Sequence, residues 1–137
     1  MQTGNLTKLL VVEDSLLDSY LLTHQLGRAK IDECITVVAN GKEALEFLLA
    51  ASPLPLAVFL DLNLPGLSGI DVLRRMKKEP RLQEIPVIVM TGSLHSKDIE
   101  ECGKLGVTAY LTKPVTLDTF LKTVTQLIPN ALPSQQI

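Results

Sequence analysis

Four of the five apolar, strand-like runs in this chain end on residues able to handle a phosphoryl group. Leu9 to Val12 leads into Glu13 and Asp14, Leu56 to Leu60 into Asp61, Val87 to Met90 into Thr91, and Val107 to Leu111 reaches Lys113 and Pro114. Each residue alone has an ordinary explanation. An Asp at a strand end often caps the following turn, a Glu-Asp pair is often two solvated charges, a lysine is usually surface charge, and a strand-end Thr is simply β-branched. Together they offer a carboxylate nucleophile, oxygen ligands for a hard divalent cation, a hydroxyl and a fixed ammonium. Asp14 and Asp61 are 47 positions apart, so this chemistry needs a fold that gathers strand ends.

A parallel sheet is such a fold, because the carboxyl ends of its strands lie along one edge and the ligand crevice opens there. The chain alternates short apolar runs with helical stretches, the pattern of a parallel sheet covered on both faces. The clearest helix follows Ser68, with Gly69, Val72, Leu73 and Met76 on one face, a Ser68/Asp71 capping box, Lys77 and Lys78 near its end, and Pro80 beyond. The last helix presents Leu117, Phe120, Leu121, Val124 and Ile128 behind a Thr116 N-cap. Three further helices are expected over about 16 to 29, about 42 to 51 after the Asn40-Gly41 break, and about 97 to 105 before Gly106. With Ile35 to Ala39 as a second strand, the β-α unit occurs five times, and Pro65 and Gly66 make a turn into the third helix.

Bulk properties narrow the function. A chain of 137 residues with 46% apolar residues makes one domain of ordinary size, and a formal net charge of -2 gives no general attraction to nucleic acid or an anionic membrane. Cys34 and Cys102 belong to no Cys-x-x-Cys or Cys/His cluster, so neither a zinc site nor a disulfide framework is indicated, and two buried thiols in a reducing cytoplasm are expected. No apolar stretch is long enough to span a membrane, and Met1 to Thr7 lacks a signal-peptide pattern. His24 and His95 have no helical-bundle context for phosphotransfer and read as structural or surface residues.

Over essentially its whole length the sequence resembles the CheY-like receiver domain of two-component response regulators. Glu13-Asp14, Asp61, Thr91 and Lys113-Pro114 match, in order, that family's acidic pair, phosphoacceptor, switch hydroxyl and lysine-proline positions. The resemblance implies an α/β fold, a doubly wound five-stranded parallel sheet of order 2-1-3-4-5 with five helices. It implies a receiver domain over 1-129, a tail over 130-137 and no output domain. Asp61 would accept a phosphoryl group from a sensor histidine kinase, with Thr91 and Lys113 assisting, and Mg²⁺ would be held by Asp14 and Asp61 directly, Glu13 partly through water and the main-chain carbonyl of Asn63. Gly92 would leave room for the phosphoryl group and offer its amide, Thr91 and Tyr110 would form the switch, and a cis Lys113-Pro114 bond would aim the lysine inward. Asn63 and Ser93 occupy positions where the family varies phosphoryl lifetime.

The family signals rather than turning over a metabolite, so the chain is not expected to be an enzyme in that sense, and a cytoplasmic location is expected. The segment from Asp61 to Gly66 and the stand-alone architecture look similar to cyanobacterial phytochrome response regulators. That likeness implies a phytochrome-type kinase as donor, a downstream protein target, and homodimerisation through the fourth helix, fifth strand and fifth helix. Rival readings fit less well. A haloacid-dehalogenase-type enzyme lacks its second acid at Asp61-Leu62-Asn63, and a flavodoxin-like carrier would need a phosphate loop where Glu13 and Asp14 would repel one. A receiver-like docking or dimerisation module with idle chemistry is the nearest alternative.

Overall fold

The computed structural model of the chain describes residues 8–14, 24, 35–64, 66–92 and 97–128. Five strands, β1 (Leu9–Val12), β2 (Ile35–Val38), β3 (Ala57–Asp61), β4 (Val87–Thr91) and β5 (Ala109–Thr112), form one sheet in the order β2-β1-β3-β4-β5. Every pairing is parallel. The order agrees with the one implied by the resemblance. Side chains alternate between the two faces, as the pleat requires. Leu10, Val12, Val58, Leu60, Val87 and Val89 enter one core, and Leu9, Val11, Ala57, Phe59, Ile88 and Met90 enter the other. Burial on both faces explains why β1, β3 and β4 read as continuous apolar runs.

Four helices stand among the described residues: α1 (Gly41–Ala50), α2 (Gly69–Lys78), α3 (Lys97–Lys104) and α4 (Leu117–Leu127). The count of five expected from the sequence is therefore four here. The helix expected over about 16 to 29 lies outside the described residues, apart from His24, which is helical and exposed. α1, α2 and α3 contribute to the first core and α4 to the second, where Phe120 lies on Phe59 with ring centroids 4.6 Å apart. Such a tilted aromatic pair adds about 0.5–1.5 kcal/mol beyond its buried area.

Local chemistry sets the helix ends. Asn40 caps α1 by accepting the Glu43 N–H at 2.8 Å, and Glu43 reaches back to the Ala39 N–H at 3.1 Å. The last turn of α1 holds no basic residue, and Arg81 supplies the missing cation from across the fold, donating to the Leu49 and Ala51 carbonyls at 3.2 and 2.7 Å. The Ser68/Asp71 capping box of α2 and the Thr116 cap of α4 are formed as expected. The fifth strand is shorter at its start than the run from Val107 to Leu111 suggested. Gly106, at φ +81°, and Val107 instead donate to the carbonyls of Gly103 and Cys102, a Schellman ending for α3, and pairing begins only at Ala109.

Two outcomes follow for stability. Phe120→Ala should cost about 3–5 kcal/mol in urea unfolding with an unchanged slope, because Phe120 is fully buried, and a cost under about 1 kcal/mol would contradict this packing. The hydroxyl and main-chain N–H of Ser68, with Arg74 beside them, hold the Asp71 carboxyl below its ordinary 3.8. Its contribution is therefore present above pH 3.8 and lost as pH falls through the lower folded value, so Asp71→Asn should flatten the acid limb of the stability profile. An identical acid limb in that variant would remove the cap from the account.

Candidate functional site at the carboxyl edge of the sheet

Register decides which side chains meet. Val12 pairs with Leu60, so Glu13 leaves β1 level with Asp61 at the end of β3, and Asp61 pairs with Met90, one residue before Thr91 on β4. Thr91 in turn pairs with Thr112 on β5, immediately before Lys113. The backbone continues this alignment past the strands, since the Glu13 N–H donates to the Val38 carbonyl at 3.0 Å and the Lys113 N–H to the Thr91 carbonyl at 2.8 Å. Residues distant in sequence are thus brought to one edge by ladder geometry alone.

Glu13, Asp14 and Asp61 each place a carboxylate oxygen within 4.8 Å of the others'. Asp61 is fully buried, Glu13 nearly so, and Asp14 exposed. At an effective dielectric of 20, a pair of such charges repels by roughly 3–4 kcal/mol, so the cluster needs cations. Lys113 provides one. Its Nζ lies 2.9 Å from Asp61 Oδ2 and 3.1 and 3.0 Å from Glu13 Oε1 and Oε2. Burial disfavours the ammonium, but the hydrogen bonds and charges of Asp61 and Glu13 outweigh it and raise the Lys113 pKa above the ordinary lysine value. The other Asp61 oxygen, Oδ1, accepts the Asn63 N–H at 2.9 Å. Both oxygens of the carboxylate are therefore oriented.

Among the described residues, three acids share one lysine at this edge, and Asp14 stands open to solvent. That donor set suits Mg²⁺, a hard cation that takes oxygen ligands and keeps several of its waters.

The remaining site residues fall into place around this cluster. Thr91 is buried at the end of β4, and Gly92 beyond it is exposed, with open space where a Cβ would stand. Tyr110 is half-buried and donates its hydroxyl to the Ile99 carbonyl on α3 at 3.4 Å. The Lys113–Pro114 peptide is cis. Cys102 is a buried free thiol whose pKa burial pushes up to about 11, which leaves it unreactive at neutral pH. Cys34, Pro65, Ser93 and His95 lie outside the described residues.

Two features were not read from the sequence. The amide of Asn63 orients Asp61 in an Asx-type turn, a pattern that an Asp two residues upstream could have signalled. Gly69 was read only as part of a helix face. A Cβ there would lie 2.4 Å from the Asp61 carbonyl oxygen and 2.7 Å from Leu62 Cα, so the start of α2 rests directly on the backbone of the buried acid. No helix among the described residues is long and apolar enough to cross a membrane.

Comparison with known proteins agrees with this geometry. The response regulator receiver domain family matches residues 9–125. Response regulator Rcp1 of Synechocystis sp. is 38% identical over 121 residues, covering 85% of this chain and 82% of that protein. The structure of the Mn²⁺-bound form of Rcp1 superposes with a TM-score of 0.72 at 35% identity, covering 94% of this chain and 96% of that one. The phosphorylated cyanobacterial phytochrome response regulator RcpA gives 0.75 at 30% identity, covering 93% and 99%. With its strand order, its buried acid beside a lysine and these relatives, the chain belongs to the response regulator receiver domain family.

Proposed function

We propose that Asp61 is the phosphoacceptor of this response regulator, a signalling protein rather than a metabolic enzyme. The observation that carries the proposal is its carboxylate, buried and held at both oxygens, with an ammonium 2.9 Å away in a cluster of acids. A carboxylate oxygen of Asp61 would attack phosphorus in a kinase phosphohistidine. The P–N bond breaks, the imidazole nitrogen leaves with the electron pair and takes up a proton, and an acyl phosphate forms. Hydrolysis of that anhydride ends the signal.

Asp14 and Asp61 would hold Mg²⁺ directly, Glu13 partly through water, and the Asn63 carbonyl would add the last protein ligand. The cation supplies charge neutralisation for an incoming phosphoryl group. Lys113 can move from Asp61 to a phosphoryl oxygen, Gly92 leaves space and an amide, and Thr91 bonds the new group, which has more charge and more acceptors than the carboxylate it replaces. Tyr110 would report that shift to α3 through its contact with Ile99.

The likeness to Rcp1 and to phytochrome response regulator RcpA supports a phytochrome-type histidine kinase as donor. A downstream protein would read the face made by α3, β5 and α4, the same face proposed for homodimerisation. A receiver unit over 1–129 with a tail over 130–137 and a cytoplasmic location belong to the same reading, and the match over residues 9–125 supports its central extent.

Incubation with acetyl phosphate and Mg²⁺ should add one phosphoryl mass to the wild-type chain and none to Asp61→Asn, while circular dichroism of the variant stays native. Phosphorylation of the variant would point to another acceptor, and an unmodified wild type would leave a docking module. Thr91→Ala should accept the phosphoryl group yet bind the downstream partner poorly, by pull-down of phosphorylated protein. Equal partner binding by variant and wild type would reject Thr91 as the switch.

A further inference from the structure

Asn40-Gly41 reads in sequence as a simple break before a helix, yet Gly41 is the first residue of α1, buried, and not in the left-handed backbone region. Its glycine is therefore not needed for conformation. Where alanine could adopt the same backbone, glycine gives up roughly 0.4–1 kcal/mol through the greater freedom of its unfolded chain, so something must offset the choice. The offset is space. A Cβ at Gly41 would lie 2.7 Å from the Leu67 carbonyl oxygen, 2.7 Å from Val72 Cγ2 and 3.2 Å from Leu67 Cβ.

Leu67 belongs to the connection from Asp61 to α2, which is closed on itself. The Asn63 N–H donates to Asp61 Oδ1 at 2.9 Å near its start, and the Gly69 N–H donates to the Leu62 carbonyl at 3.3 Å at its end. Gly69 in turn sits against the Asp61 and Leu62 backbone. The loop is thus fixed from inside by Asp61 and backed from outside by α1. A carbonyl oxygen cannot rotate out of the way as a flexible side chain could, so added bulk at Gly41 must displace either α1 or the loop.

We infer that Gly41 is a positioning residue for the phosphoryl site: its missing side chain lets α1 seat against the Leu67 carbonyl and so sets the loop that holds Asn63 beside Asp61. The inference rests on the proposed function of Asp61. It makes Gly41, 20 positions before Asp61 in sequence, a determinant of metal affinity at the site.

The test compares wild type, Gly41→Ala, Val72→Ala and the double variant. Free Mn²⁺ is titrated by its electron paramagnetic resonance signal, and thermal melting is followed in parallel. Val72→Ala opens a cavity in the same α1–α2 seam without touching Leu67, so it should melt lower and bind Mn²⁺ as wild type does. Gly41→Ala should bind Mn²⁺ about tenfold more weakly than wild type, the scale of loss seen when groups that orient metal ligands are disturbed. The double variant, in which no Val72 methyl meets the new Cβ, carries the comparison if the single variant fails to fold, and should bind Mn²⁺ more weakly than Val72→Ala by a similar factor. Equal Mn²⁺ affinity in the double variant and Val72→Ala would overturn the inference, as would an equal loss in Val72→Ala alone. A wild type that binds Mn²⁺ but takes no phosphoryl group from acetyl phosphate would instead refute the function proposed for Asp61 and leave this comparison intact.

Discussion

The structure depends on one lysine shared between two buried acids at the carboxyl edge of the sheet. Asp61 is fully buried with Glu13 and Asp14 beside it, and burying an unpaired charge costs several kcal/mol, a cost that Lys113 offsets by reaching in from the end of β5. The ammonium contacts two acids at once. That arrangement leaves a residual negative charge open to solvent through Asp14, which is what a divalent cation and then a phosphoryl group can use. The pairing also links β1, β3 and β5 through one side chain, so its geometry is set by the strand order rather than by any local motif.

The same logic extends outward. Thr91 shares the sheet edge with Asp61, and Tyr110 on the neighbouring strand donates a long hydrogen bond to the Ile99 carbonyl of α3. On its other side α3 is joined to α2 by Arg74, which bridges Asp71 and Glu101 at an exposed site. Solvent screens exposed ion pairs of this kind, so they contribute little. α3 is anchored in the core by buried Cys102, with Ile99 and Leu105 packed beside it, and its surface links to α2 and β5 are weak, while the strands that hold the acids are buried on both faces.

Much of this was legible in the sequence. Apolar runs on β1, β3 and β4 and the turn residues between elements gave the alternation, because burial on both sheet faces and helix capping leave direct composition signals. Ser68 with Asp71 and Thr116 acted as read. The strand order did not follow from periodicity and came from resemblance, since right-handed crossovers permit several orders. Less visible were interactions whose partners lie far apart. Arg81 capping α1 and Lys113 bridging Glu13 as well as Asp61 have no local pattern. Gly41 and Gly69 looked like a break and a helix face, because sequence shows that a side chain is missing but not what stands in the space it would fill. The start of β5 was misjudged for a related reason: Val107 is apolar enough for a strand, but its N–H ends a helix.

The most direct test of the account identifies the acid that is phosphorylated. The chain is incubated with acetyl phosphate and Mg²⁺, reduced with borohydride, which converts an acyl phosphate to the alcohol, and mapped by peptide mass. The account predicts homoserine at position 61 and at no other acid. Homoserine at position 14, or the corresponding alcohol at 13, with position 61 unchanged, would contradict it.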